Sequence, residues 1–179
     1  MLPIILKIAH ILALSLWSGA MVFFSFFVAL PTIESMQRFA QKPGNWLNLS
    51  TEAQGTRLAG EFLDLVFTRY FPFQCVCGLI AFAISLWWWN TPGWLAKARV
   101  LVITLALGGA AMNYFVLAPR VHDLRVDRYS SDAAVAEKAN AAFGPAHTVS
   151  LLVDMATLLC VLIALVLVLW LPKETPLAE

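Results

Sequence analysis

Residues 100–125 read VLVITLALGGAAMNYFVLAPRVHDLR, and the fold follows from this stretch. No Asp, Glu, Lys or Arg occurs between Arg99 and Arg120. A helix needs about 20 apolar residues to cross a bilayer core of ~30 Å, and 100–118 is such a run. Asn113 sits inside it. Pro119-Arg120 closes it where lipid gives way to water, and the charged residues that follow belong outside the membrane.

Three further runs match it, and together they predict spans at about 4–30, 70–89, 100–118 and 146–171. The 179 residues are 60% hydrophobic and 13% charged, where a soluble domain carries about 25% charge. The predicted fold class is all-α. It is a polytopic membrane four-helix bundle in one domain, with an amphipathic helix in the loop before the fourth span. A formal net charge of +1 gives no pull on nucleic acid. Three cysteines in apolar surroundings argue against a disulfide framework. The first run is uncharged from Ile8 to Ile33, too long for a signal-peptide core, and reads as a retained span.

Along the chain, Pro31 ends the first span. Ser15 and Gly19 lie four apart and predict a close helix approach. Pro43-Gly44-Asn45 signals a turn. Thr51-x-x-Gln54 has the form of a capping box, opening a helix that runs on into the second span, with a kink at Pro72. Asn90-Thr91-Pro92-Gly93 suits a type II turn, so the second and third spans form a hairpin. Trp87, Trp88, Trp89, Trp94 and Trp170 form an interfacial aromatic belt. Ser130 or Ser131 caps the amphipathic helix, 132–143, which Gly144-Pro145 stops. Pro145 then opens the fourth span and Pro172 ends it. Further seams of small residues are Cys77/Ala81/Ser85, Ala106/Ala110 and Ala156/Cys160/Ala164. Cys75 and Cys77 project to nearly opposite faces.

Both termini fall on one side, here side A, and the two long loops on side B. Lys7, Lys97, Arg99 and Lys173 lie on side A, against eight Lys or Arg on side B. The positive-inside rule makes side B cytoplasmic, in a plasma or inner membrane.

Several pieces in order resemble a known family. They are His10…Trp17-x-Gly19…Phe23-Phe24-x-Phe26, Tyr70-Phe71-Pro72, Asn113…Pro119-Arg120 and His147. Their order and spacing resemble the transmembrane protein 205-like family, a four-span domain of unknown function, over nearly the whole chain. The resemblance implies the fold and carries no reaction or cofactor.

Intramembrane polar groups are functional candidates by default. His147, Ser150, Asp154 and Thr157 fall within an arc of roughly 80° on the fourth span. Asn113 and Arg120, seven apart, share a face of the third, and Gln74 enters from the same side. These groups are expected to converge in the side-B half, either as a polar pathway or as hydrogen bonds that fix helix register. Asp154 lies about 13 Å in from side B, level with Trp17. A bare carboxylate there costs at least ~2.5–3.5 kcal/mol, so the neutral acid is the expected form. It would accept from the Trp17 indole and donate to Asn113 or Ser18.

His10 and His147 are separated by roughly 15–22 Å along the membrane normal, too far to share one iron. His122 and His147 with Asp123 or Asp154 would make a weak metal set. No nucleophile–base spacing, phosphate loop or dinucleotide fingerprint appears. No cofactor is predicted. The functional expectation is a non-catalytic pathway for a small solute, ion or proton, or an accessory subunit of a membrane assembly. A haem- or metal-binding membrane oxidoreductase is the rival. The expected partners are the lipid bilayer and further copies or a larger membrane complex.

Overall fold

The computed structural model describes residues 1–90 and 92–169. Among them are four helices long and apolar enough to cross a membrane: α1 (Leu2–Ala40), α2 (Glu52–Trp87), α3 (Trp94–Asp127) and α4 (Ala133–Val168). They run up and down in turn. α1 packs on α2 and α4, and α3 packs on α2 and α4, leaving α1 and α3, and α2 and α4, as diagonals. Trp17, Leu14, Met21, Ile103 and Val161 fill the centre and are fully buried. Leu12, Leu16, Phe23, Phe27, Leu101, Leu105, Leu152 and Leu159 point outward and are exposed. Water would not tolerate an apolar surface of that extent, whereas lipid matches it.

The prolines behave differently from the sequence expectation. Pro31 does not end its helix, and the helix also continues through Pro119. In each case a π-helical segment precedes the proline, Phe24–Ala29 and Asn113–Leu117, ending two residues before it. A proline ring clashes with the carbonyl four residues back and offers no N–H. The wider turn of a π segment relieves that crowding. Pro145 neither stops the amphipathic helix nor starts a new one: α4 passes through it as a single helix, as α2 passes through Pro72. Backbone groups freed by such prolines are re-satisfied by neighbouring helices, side chains and water. The cap of α4 is also not a serine. Asp132 accepts from the Ala134 and Val135 N–H groups, and Ser130 Oγ accepts from the Asp132 N–H.

The capping box at α2 forms as expected: Thr51 Oγ1 accepts from the Gln54 N–H and Gln54 Oε1 from the Thr51 N–H. Gly44 takes a positive φ of 70° in the predicted turn. Gly93 has φ 112° but ψ 155°, an extended glycine conformation instead of the type II value. Trp87, Trp89 and Trp94 are exposed as a belt requires, while Trp88 turns inward. Trp170, Pro172 and Lys173 lie outside the described residues.

The seams divide. Cys77/Ala81/Ser85 and Ala106/Ala110 are buried. In the fourth span Ala164 is buried but Ala156 is exposed. Ser15 and Gly19 are exposed, and a Cβ on Gly19 would meet nothing within 4 Å, so this is not a packing seam.

The loops at residues 41–51 and 128–132 lie at the same end. Gln37 Nε2 donates to Thr56 Oγ1 at 2.9 Å, and Asp64 on α2 pairs with His122 at 2.9 Å and Arg125 at 3.1 Å on α3. Asn45 is buried, its amide tying the carbonyls of Lys42 and Leu49. Labelling is therefore best placed at exposed Trp46 and Asp123. With the native cysteines replaced, Trp46→Cys and Asp123→Cys should react with a membrane-impermeant thiol reagent from one side only, and the same side. Reaction from opposite sides would rule out this hairpin order.

Candidate polar core

Polar side chains from all four helices meet in the interior. Trp17 on α1 is held upright by close packing, its six-membered ring lying against Gly78 of α2, where a Cβ would fall 2.8 Å from the ring. Its Nε1–H donates to Gln74 Oε1 at 3.1 Å, with both side chains fully buried. Gln74 Nε2 donates to Asp154 Oδ1 at 3.4 Å, and Tyr70 OH donates to Asp154 Oδ2 at 3.4 Å. Gln74 and Tyr70 lie one turn apart on α2 and Asp154 lies on α4, so these bonds cross the bundle diagonal. Asp154 takes part in no ion pair among the described residues.

A second pair lies one turn nearer side B. Ser150 Oγ donates to Asn113 Oδ1 at 3.0 Å, and Asn113 Nδ2 donates to the Ser150 carbonyl at 3.4 Å. Ser150 and Asp154 lie one turn apart on α4, which joins the two groups. Thr157 is buried but satisfies itself on the Val153 carbonyl.

Both π segments border this core. Phe24, first in one, stacks on Tyr70 with centroids 4.4 Å apart. Asn113 opens the other. Irregular helix turns of this kind are frequent at functional sites, and here each aims one side chain at the core.

Asp154, Gln74, Trp17, Asn113 and Ser150 are thus gathered as their spacing suggested. The wiring differs: Trp17 reaches Asp154 through Gln74, and Ser18 Oγ bonds back to the Leu14 carbonyl. Tyr70 is a member that polar spacing missed, because tyrosine at a span entrance reads as an interfacial anchor. Arg120 and His147 are not brought in. Arg120 is exposed. The π segment inserts one residue between it and Asn113, and one residue turns a helix face by about 100°. His147 is exposed and stacks on Phe143 at 5.6 Å. His122 pairs with Asp64 rather than with His147 or Asp123. Among the described residues no three His, Cys, Asp or Glu side chains converge as a metal site would require.

A family model for a domain of unknown function, DUF4149, matches residues 12–130. The chain belongs to this family. The match spans α1 through α3, and so includes Trp17, Tyr70, Gln74 and Asn113 but not Asp154 or Ser150. No curated protein matches the chain, and no solved structure does. Within the DUF4149 family the chain's membership brings no reaction with it. The transmembrane protein 205-like resemblance is finer than this match, which does not extend to it.

Proposed function

We propose that this DUF4149 protein is a non-catalytic membrane protein whose polar core carries protons or a small polar solute. The transmembrane protein 205-like resemblance belongs to the same proposal. The observation that supports it most is the Asp154 carboxyl at the bundle diagonal, approached by two donors and by no cation among the described residues. A register-fixing contact needs a hydrogen bond, which an amide supplies at lower cost. A carboxyl adds an exchangeable proton. Tyr70 OH can donate or accept, so it can pass that proton on. Asn113 and Ser150 continue the polar row toward side B, and exposed His147 stands one turn beyond Ser150. We assign side B to the cytoplasm of a plasma or inner membrane on the balance of Lys and Arg.

Reconstitution tests this reading. Vesicles carrying the protein, loaded with a pH-sensitive dye and given a potassium–valinomycin potential, should change internal pH faster than empty vesicles. Asp154→Asn should return the rate to the empty-vesicle level. A wild-type rate equal to that of empty vesicles would remove the proton pathway. A rate unchanged by Asp154→Asn would move the pathway elsewhere.

A further inference from the structure

At the side-A end of the bundle a second polar group is buried, and its chemistry is opposite in sign. Arg99 of α3 is only 2% exposed, and its Nε and Nη2 have no hydrogen-bond partner among the described residues. His10 of α1 is fully buried, and neither ring nitrogen has a hydrogen-bond partner among the described residues. Ser85 of α2 is fully buried, its hydroxyl without a partner among the described residues. Trp88, one turn on from Ser85, links His10 and Arg99. Its ring meets His10 edge-on at 6.1 Å, and the Arg99 guanidinium lies 5.4 Å from its centre.

By sequence position Arg99 counts as one of the side-A cations. Burial changes its meaning. A guanidinium stays charged at any working pH, and a buried charge without a counter-charge is strongly destabilising. The cation–π contact with Trp88 meets only a small part of that need. The free atoms are also specific ones. Nε–H and one N–H of Nη2 point the same way and form the side edge of the guanidinium, the fork that takes two oxygens of a carboxylate or phosphate at once. His10 and Ser85 add donors on two other helices.

From this geometry we infer that His10, Ser85 and Arg99 form a binding site for a phosphate oxyanion near the side-A membrane surface. Arg99 takes two of its oxygens through Nε and Nη2, and a His10 N–H and the Ser85 hydroxyl reach others. Arg99 lies six residues into the chain from Gly93, about 9 Å along its helix, a level that headgroup phosphates border. The phosphate is that of an anionic lipid headgroup or a free ion, and both present the same oxygens. The site is separate from the Asp154 core and does not depend on its function.

Thermal unfolding of the full chain in a phosphate-free sugar detergent tests the site. Short-chain phosphatidylglycerol and inorganic phosphate are added in separate arms, each against a chloride blank of equal ionic strength. At least one should raise the unfolding temperature of the wild type. A rise with the lipid alone identifies a headgroup, and a rise with inorganic phosphate identifies a free ion. Arg99→Lys keeps the charge but loses the fork, so binding should weaken about tenfold or more. Ser85→Ala, which is small enough to fold normally, should weaken it as well. Arg38→Gln, at an exposed cation, should bind as the wild type does. No rise in either arm, or full binding by both Arg99→Lys and Ser85→Ala, overturns the proposal. Glu174 and Glu179 lie outside the described residues. A rise that appears only after both are changed to Gln shows that the chain's own carboxylates fill the fork, and also overturns it.

Discussion

Gly55→Ala should lower the apparent unfolding temperature of the detergent-solubilised protein by roughly 4–8 °C, the shift for about 2 kcal/mol in a chain of this size. Gly55 sits in the first turn of α2, against the last turn of α1. A Cβ there would fall 2.7 Å from Gln37 Cα and 2.8 Å from the Met36 carbonyl carbon, and would also meet the Met36 carbonyl oxygen. These are backbone atoms, so no rotamer change makes room and the helices themselves must part. Overpacking of this kind costs about 1–3 kcal/mol or more. The better helix propensity of alanine returns at most ~1 kcal/mol, so the loss prevails. Gly19→Ala is the contrast, since that glycine is exposed and nothing lies within 4 Å of its added carbon. There only the propensity gain acts, and the unfolding temperature should hold or rise. Equal effects of the two changes would mean that α1 and α2 do not meet at Gly55.

That contrast shows what the sequence could and could not reveal. Length, apolarity and the charge at each run's edge are properties of single segments, so the four helices, their alternating direction and the Thr51 capping box were legible. Which small residue faces a neighbour is a property of pairs. Ser15 and Gly19 had the right spacing and face outward; Gly55, four residues before Ala59 but outside the predicted spans, bears the tightest approach to backbone among the described glycines. The prolines were misjudged for a related reason. In water Pro31, Pro119 and Pro145 stop helices, but a chain that spans lipid has no better place for its backbone polar groups. It keeps the helix and adjusts its turn.

The polar core was legible to the extent that α-helical phase holds. Ser150, Asp154 and Thr157 turn inward on an unbroken stretch of α4, whereas His147, expected on the same arc of the same helix, is exposed and stacks on Phe143, so phase alone does not bury a side chain. Asn113 opens a π segment that separates it from Arg120 and breaks the phase, so the two do not share a face. Tyr70 was hidden by its residue type, and Arg99 by its place beside an interface. Arg99 is buried with its guanidinium against Trp88, a contact that no spacing rule contains.

The last prediction separates a neutral Asp154 from a charged one. Asp154→Asn should leave thermal stability close to wild type. An amide matches a neutral acid group for group: its carbonyl oxygen accepts from Tyr70 or Gln74, and its NH₂ donates where the acid O–H did. Asp154→Leu should be destabilising by about 2 kcal/mol or more. Tyr70 OH and Gln74 Nε2 lose their acceptor, both side chains are buried, and each unpaired group costs about 1–3 kcal/mol. The apolar gain of leucine offsets only part of this, because the site is half-buried. Circular dichroism melts of the three proteins in one detergent check the order wild type ≈ Asn > Leu. Asn falling as far as Leu would mean that the carboxylate is charged and held by its donors, since an amide cannot replace that charge. Leu matching wild type would mean that the bonds at 3.4 Å carry no stability. If the order holds and Asp154→Asn still abolishes proton flux, the exchangeable proton is the one property that the substitution removed.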